Sequence, residues 1–158
     1  MKVDCIEEGT FPNLSLAYLI RPCYHCENPP CIQNCPVGAI RKSAQNGIVL
    51  VKREVCLGLK KCGGMCKESC PYDAPQFSDE DDAKMQKCEL CFDRWQQGKK
   101  PICVEGCPMR ALDAGPLDEL VRKYGDPEAA SGVVSDSDIK ASIVIKKKRK
   151  YLNFTRTH

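Results

Sequence analysis

The stretch CYHCENPPCIQNCP, Cys23 to Pro36, decides how this chain is organised. Its four cysteines are separated by two, four and three residues, and a proline follows the last one. Two related runs follow, each ending with three residues, a cysteine and a proline. The three runs are Cys23, Cys26, Cys31 and Cys35; Cys56, Cys62, Cys66 and Cys70; and Cys88, Cys91, Cys103 and Cys107. Their regular spacing along the chain indicates repeated units.

The cysteine content points to bound metal rather than disulfides. Thirteen of the 158 residues are cysteine. A disulfide framework is typical of short secreted chains with an even number of cysteines. Here the number is odd, and no basic segment followed by an apolar one marks a secretory signal. Since few residues are aromatic and the cysteines account for part of the apolar content, the apolar core should be modest, and we expect bound metal to organise the fold.

The run endings favour iron–sulfur clusters. They are a variant of the bacterial ferredoxin run C-x2-C-x2-C-x3-C-P, in which a short loop wraps three thiolates around one cluster. In two-cluster ferredoxins the fourth cysteine ligates the other cluster. Proline after that cysteine fixes φ and helps to turn the chain away. Two consecutive runs are therefore expected to exchange ligands and to form one folding unit.

Zinc is the main alternative, because four thiolates suit tetrahedral zinc. It does not account for three recurring endings of the same form. A Rieske centre needs two histidine ligands, whereas the chain has only His25 and the terminal His158. We expect His25 to support a site or to lie at the surface rather than to bind metal.

The segments between and after the runs predict an α+β fold, bacterial-ferredoxin-like, with small β-hairpins and short helices organised by iron–sulfur clusters. Asn46-Gly47 is a hairpin turn signal, and Ile48 to Val51 reads as a strand. Gly115 to Asp126 predicts a short helix, with Pro116 in its first turn and Gly125 at its exit.

Charge and hydropathy indicate which partners the chain can have and whether it can span a membrane. The net charge is +3, and the longest apolar stretch, Leu14 to Ile20, is too short to span a membrane. SDSD at Ser135 to Asp138 reads as a solvated loop. KKKRK at Lys146 to Lys150 could mark a nucleic-acid patch, but a solvated or partner-facing tail is favoured. We expect no nucleic-acid partner and no direct membrane span. We expect the chain in the cytoplasm, or exported with a partner that carries the signal.

Six stretches together carry a resemblance to a known family: IEEGTFPN, RPCYHCENPPCIQNCPVGAI, CPYDAPQF, MQKCELCFDRW, KKPICVEGCPMRALDAGPLDEL and KYGD. The chain resembles, from about Ile6 to Ile145, the iron–sulfur electron-transfer subunit of the dimethyl sulfoxide reductase, polysulfide reductase and formate dehydrogenase family of molybdopterin oxidoreductases. The resemblance implies up to four [4Fe–4S] clusters in two ferredoxin-like halves. It implies single-electron relay between a molybdopterin catalytic subunit and a quinone-reactive membrane subunit or another redox partner, without substrate chemistry of its own. The alternatives are a zinc-binding structural module and a stand-alone ferredoxin.

The crossed-ligand rule of the family implies two complete ligand sets. Cluster one takes Cys23, Cys26, Cys31 and Cys70; cluster two takes Cys35, Cys56, Cys62 and Cys66. The unusual five-residue gap before Cys62 puts that ligand in doubt. A third cluster takes Cys88, Cys91 and Cys103 but lacks its usual fourth ligand.

The front of the chain departs from the family pattern. Cys107 normally completes a cluster of an N-terminal cysteine run, and here only Cys5, which we expect not to be a ligand, precedes Cys23. An internal or truncated start at Met1 is favoured over a natural variant with two or three clusters, and over the use of Cys5 or Cys107 as a replacement ligand. The expected segments are a remnant of the N-terminal ferredoxin half (1–20), a two-cluster domain (21–80), the last cysteine run (81–115), and a C-terminal helix with a basic tail (116–158).

Overall fold

The computed structural model of the chain describes residues 2–125 and 138–146. Within these residues the chain forms two antiparallel strand pairs and six short helices. The strands are β1 (Lys2–Glu8), β2 (Ser15–Arg21), β3 (Ile40–Lys42) and β4 (Val49–Val51). The helices are α1 (Pro30–Gln33), α2 (Leu59–Cys62), α3 (Met65–Glu68), α4 (Phe92–Gln96), α5 (Ile102–Glu105) and α6 (Leu117–Tyr124). These short elements agree with the predicted α+β class.

The hairpin predicted between the first two cysteine runs is confirmed. β3 pairs with β4 in antiparallel register, with Ile40 opposite Val51. The turn has Gly47 at a φ of 68°, a conformation that glycine adopts without strain. The Asn46 side chain accepts a hydrogen bond from the Ile48 amide at 3.1 Å. The second strand begins at Val49, one residue later than predicted.

The N-terminal segment forms a second ribbon that the sequence analysis did not anticipate. β1 pairs with β2 along seven residues, with Cys5 opposite Tyr18. Tyr18 is 69% exposed and Leu16 is 54% exposed. Arg21 donates a hydrogen bond to Asp4 at 2.8 Å across the ribbon. Cys5 is exposed on this ribbon, so the predicted non-ligand role stays a prediction.

Two separate groups of buried residues pack together, and both contain cysteines. The first group joins the hairpin to the cysteine runs: Cys31, Ala39, Ile40, Val49, Cys56, Cys66 and Met85. The second consists of Tyr24, Cys26 and Tyr72, whose two aromatic rings meet edge to face with centroids 4.8 Å apart. Few large aliphatic side chains take part, as the composition predicts. The packing around the thiols is therefore also the core of the fold.

The predicted C-terminal helix is present as α6. It is shorter than predicted, because Pro116 is the N-cap rather than part of the first turn. Asp118 and Glu119 lie in its first turn, where negative charge is favourable, and Gly125 ends it. Most of the SDSD loop and of the basic KKKRK run lies outside the described residues.

One carboxylate attaches this helix to the last cysteine run. Asp113 accepts a hydrogen bond from Tyr124 at 2.6 Å and one from Lys123 at 2.8 Å, and it also pairs with Lys100. Hydrogen bonds from Lys100, Lys123 and Tyr124 lower the pKa of Asp113 below its ordinary value.

We expect Asp113→Asn to destabilise the iron-loaded chain by about 1 kcal/mol, because the neutral amide replaces a carboxylate that binds two ammonium groups. A lowered carboxyl pKa stabilises the fold above the ordinary value of about 3.9, and this contribution is lost as pH falls through the lowered pKa. The loss of stability in Asp113→Asn, measured from urea midpoints, should therefore be the same at pH 7 and at pH 5. The control is Asp81→Asn, whose pair with Lys60 is exposed on both sides and should matter little. Equal effects of the two substitutions would contradict the role of Asp113.

Across the described residues, no helix has the length and apolar character needed to cross a bilayer.

Candidate metal centres

The three cysteine runs fold in the same local way. In each, the third cysteine is the second residue of a one-turn helix, as Cys31 is in α1, Cys66 in α3 and Cys103 in α5. The amide after that cysteine donates to the carbonyl of the helix N-cap. These bonds are Ile32 to Pro29 (3.1 Å), Lys67 to Gly64 (2.7 Å) and Val104 to Pro101 (3.0 Å). The repeat seen in the sequence is therefore a repeat of backbone structure.

Each run also ends in the same turn, and the sequence pattern of this turn continues beyond the cysteine and proline noted above. The full pattern is C-P-x-x-A, at residues 35–39, 70–74 and 107–111. The residue before the alanine has a positive φ each time, and its amide donates to the cysteine carbonyl. These residues are Gly38 (61°), Asp73 (49°) and Arg110 (48°). The amides of Ala39 and Ala111 donate to the thiols of Cys35 and Cys107, both at 3.3 Å.

A first cavity is surrounded by four cysteines from two runs. Cys23, Cys26, Cys31 and Cys70 line a cavity of about 370 Å³, part of it open to solvent. Among the described residues, Lys87 is the only charged one in the lining. The others are apolar or aromatic: Tyr24, Pro29, Pro30, Val49, Pro71, Tyr72, Ala74 and Pro75. The structure thus brings Cys70 to the loop of the first run.

The charge environment of this cavity suits a positively charged group that replaces the thiol protons. Burial, followed by the neighbouring Cys23 thiolate, raises the pKa of Cys26 and of Cys31 to about 12. Burial also raises the pKa of Cys23. Four free thiolates are unfavourable in such a space, because they repel one another and lack hydration. Iron would compensate this charge and release the protons on binding.

A second cavity is surrounded by the other exchanged set. Cys35, Cys56, Cys62 and Cys66 line about 350 Å³ of partly open space, together with apolar side chains such as Met85 and Phe77. Burial, and after it the Cys62, Cys35 and Cys56 thiolates, raise the pKa of Cys66 to about 11. The Met85 amide donates a hydrogen bond to the Cys56 sulfur at 3.5 Å. Backbone N–H groups thus point at two sulfurs of this set, those of Cys35 and Cys56.

Three glycines and helix α2 accommodate the five-residue gap before Cys62. Gly58 precedes the helix at a φ of 86°, and a Cβ there would lie 3.0 Å from the Ala83 carbonyl oxygen. Gly63 and Gly64 follow it, at 66° and 68°. These positive φ values are accessible to glycine at little cost. The helix therefore places Cys62 in the lining of the second cavity despite the longer spacing.

The third run brings three of its thiols near one another. Burial raises the pKa of Cys103, and the Cys88 and Cys91 thiolates raise it further. Arg94 in α4 spans the long gap of this run, because it donates to the Lys100 carbonyl at 2.8 Å and pairs with Glu105 in α5. Cys107 differs from these thiols: hydrogen bonds from the Ala111 amide and from the amides beside it lower its pKa.

His25 is a buried structural residue rather than a surface one. It is 7% exposed, and its Nδ1 accepts the Val49 amide of β4 at 3.0 Å. Burial lowers its pKa to about 3, with smaller effects of Lys87 and Lys42, so the ring is neutral. It therefore joins the first cysteine loop to the hairpin, and the surface position allowed by the sequence is wrong.

The C-terminal segment 138–146 covers the first cysteine loop, which the sequence analysis missed. The Glu27 amide donates to the Lys140 carbonyl at 2.8 Å, and the Ser142 amide donates to the Tyr24 carbonyl at 3.0 Å. Ile139, Ala141 and Ile143 pack against the group of Tyr24, Cys26 and Tyr72. Their alternation with the exposed Lys140 and Ser142 was a strand-like signal in the sequence.

Within the described part of the chain, no three His, Cys, Asp or Glu side chains form a group suited to holding a single metal ion.

Comparison with known proteins gives one family and several relatives. A model of the 4Fe-4S dicluster domain matches residues 14–117. One chain of the anaerobic dimethyl sulfoxide reductase of Escherichia coli (strain K12) is 46% identical over 134 residues, which cover 85% of this chain and 62% of the relative. The equally named chain from Haemophilus influenzae is 42% identical over 139 residues, covering 88% and 64%. A sulfite dehydrogenase subunit of Allochromatium vinosum is 37% identical over 156 residues, covering 95% and 56%. The chain thus spans less than two thirds of the length of these relatives.

Proposed function

Because the chain belongs to the 4Fe-4S dicluster domain family, we propose that it relays single electrons through [4Fe–4S] clusters as one subunit of a larger oxidoreductase. The resemblance drawn from its motifs is confirmed by that membership and by the relatives. The relatives are named as chains or subunits of reductases and dehydrogenases. We propose a molybdopterin-containing catalytic subunit as the partner, and a membrane anchor subunit as a further one. The chain itself would perform no substrate chemistry.

The observation that carries the proposal is the exchange of cysteines between the first two runs. Each of the two cavities is lined by three thiols of one run and the last thiol of the other. Such crossing is the ligand pattern of two-cluster ferredoxins. We therefore propose Cys23, Cys26, Cys31 and Cys70 as the ligands of cluster one, and Cys35, Cys56, Cys62 and Cys66 as those of cluster two. A bacterial-ferredoxin-like fold for residues 21–80 belongs to the same proposal.

Bound [4Fe–4S] clusters supply reversible one-electron carriage. Thiolates of this chain would hold the iron, and apolar side chains would exclude water from it. Backbone N–H groups are directed at the sulfurs of Cys35 and Cys56. Burial and hydrogen bonding of this kind set cluster potentials. Cys88, Cys91 and Cys103 are proposed as ligands of a third, incomplete site, with Cys107 directed to a different one.

The zinc-binding structural module and the stand-alone ferredoxin are not favoured, since the relatives are subunits of oxidoreductases.

The test is a measurement of iron and acid-labile sulfide per chain after anaerobic purification and reconstitution. We expect about eight of each if the first two sites are filled. About eleven or twelve iron atoms with about twelve sulfides would mean that the third site is filled as well. Cys5→Ser is the control and should leave both values unchanged. Stoichiometric zinc without sulfide would end the electron-transfer proposal.

A further inference from the structure

Lys87 is the charged residue at the wall of the first cavity. It lines this space together with Cys23, Cys31 and Cys70. Its ammonium group donates hydrogen bonds to two backbone carbonyls, that of Val49 in β4 and that of Cys88 at 3.1 Å. The side chain is half-buried. Two backbone carbonyls therefore fix the ammonium group beside the cavity that this residue lines.

The same position lies between two cysteine sets. Lys87 immediately precedes Cys88, the first thiol of the third run, and that thiol is close enough to Cys23 to raise its pKa. Lys87 therefore lies between the first cavity, which it lines, and the third run, which begins one residue later.

A fixed positive charge stabilises a neighbouring group that gains negative charge. Accepting one electron adds one negative charge to the space enclosed by the four thiolates. Coulomb attraction to a nearby ammonium group stabilises this reduced state more than the oxidised one, and more so where water is excluded. Since two carbonyls already orient the group, little reorganisation is needed when the charge changes.

We propose that Lys87 is a potential-setting residue, whose ammonium group raises the reduction potential of the cluster held by Cys23, Cys26, Cys31 and Cys70. This inference rests on the proposed function and deepens it. Lys87 touches no substrate, and it acts through the electrostatics of the cavity wall. It would stabilise the reduced form of this cluster.

Lys42 offers a matched comparison. Its ammonium group also donates to two backbone carbonyls, those of Cys26 at 2.9 Å and Glu27 at 3.0 Å. It is exposed, however, so water and salt screen its charge. Loss of Lys42 removes the same number of hydrogen bonds, but it should change the potential less than loss of Lys87.

The experiment is a dithionite titration of the reconstituted full chain, followed by electron paramagnetic resonance. The signal of the first site is the one that Cys70→Ala abolishes. In Lys87→Met we expect unchanged iron and sulfide, and about a tenfold lower ratio of reduced to oxidised cluster at a given potential. That ratio corresponds to a shift of about 59 mV to lower potential. Lys87→Arg should retain the wild-type potential, and Lys42→Met should shift it less than Lys87→Met.

The outcomes separate this inference from the proposed function. Wild-type chain without iron and sulfide would refute the proposed function itself. A wild-type chain with clusters, together with an unshifted Lys87→Met, would overturn only the inference about Lys87. If Lys87→Met loses iron, Lys87→Gln decides, because it keeps a hydrogen-bond donor without the charge. A lowered potential in Lys87→Gln supports the inference. An unshifted potential, or loss of iron in both neutral variants, assigns Lys87 a structural role and overturns it.

Discussion

Replacing Cys70 with alanine is expected to abolish the cluster bound by Cys23, Cys26 and Cys31, although Cys70 belongs to the second run. The reason is that Cys70 lines the first cavity with those three thiols, while Cys56, Cys62 and Cys66 line the other one. Loss of one of four ligands leaves the cluster open on one side. Iron per chain should fall by about four, and one of two cluster signals should disappear.

Two control variants make this result specific. Ser69→Ala changes the neighbouring side chain, whose hydroxyl donates to the Cys66 carbonyl at 3.4 Å, and it should retain all the iron. Cys66→Ala should abolish the other signal, because Cys66 lines the second cavity. If Cys70→Ala removed the same signal as Cys66→Ala, the crossed assignment would be wrong.

Removal of iron is expected to abolish the cooperative thermal unfolding of the chain. Both groups of buried residues include cysteines proposed as ligands: Cys31, Cys56 and Cys66 in one, Cys26 in the other. Without iron these thiols surround cavities instead of a packed cluster, and the remaining apolar side chains are few. Free energy of metal binding is folding free energy in such domains, so most of the roughly 5–15 kcal/mol typical of a folded domain should be lost.

Circular dichroism melting before and after anaerobic chelation of the iron measures this effect. The chelated chain should also bind a hydrophobic dye, because the apolar linings become accessible to solvent. Reconstitution with iron and sulfide is the control and should restore the transition. An iron-free chain that melts at the same temperature as the loaded one would show that the protein core alone maintains the fold.

Much of the local structure could be predicted from sequence, because it depends on residues a few positions apart. Asn46-Gly47 forms the predicted turn since glycine accepts a positive φ there. The proline after Cys35 and its counterparts mark the turns that end each run. Helix α6 follows from the placement of Pro116, of the first-turn acids and of Gly125. In each case the deciding contacts are made within one or two turns of chain.

Other features of the candidate sites depend on contacts between distant segments. Ser142 reaches the carbonyl of Tyr24, and His25 accepts the amide of Val49. Lys87 donates to the carbonyl of Val49 as well. No pattern within a single run indicates these partners, because a backbone carbonyl or amide is available at nearly every residue. Only the folded chain selects which of them lies within hydrogen-bond distance.

The sequence by itself determined the chemistry of this protein: thiol ligands in three runs, each closed by a cysteine and a proline, and a family whose members carry [4Fe–4S] clusters. Spacing is sufficient for that conclusion, since a short loop can wrap a cluster only with thiols at certain intervals. The tertiary structure decided which charges and which covering segment surround each cavity. Lys87 beside the first cavity and residues 138–146 over its cysteine loop are examples. Their effects depend on distance and burial, and these are fixed only when separate parts of the chain pack together.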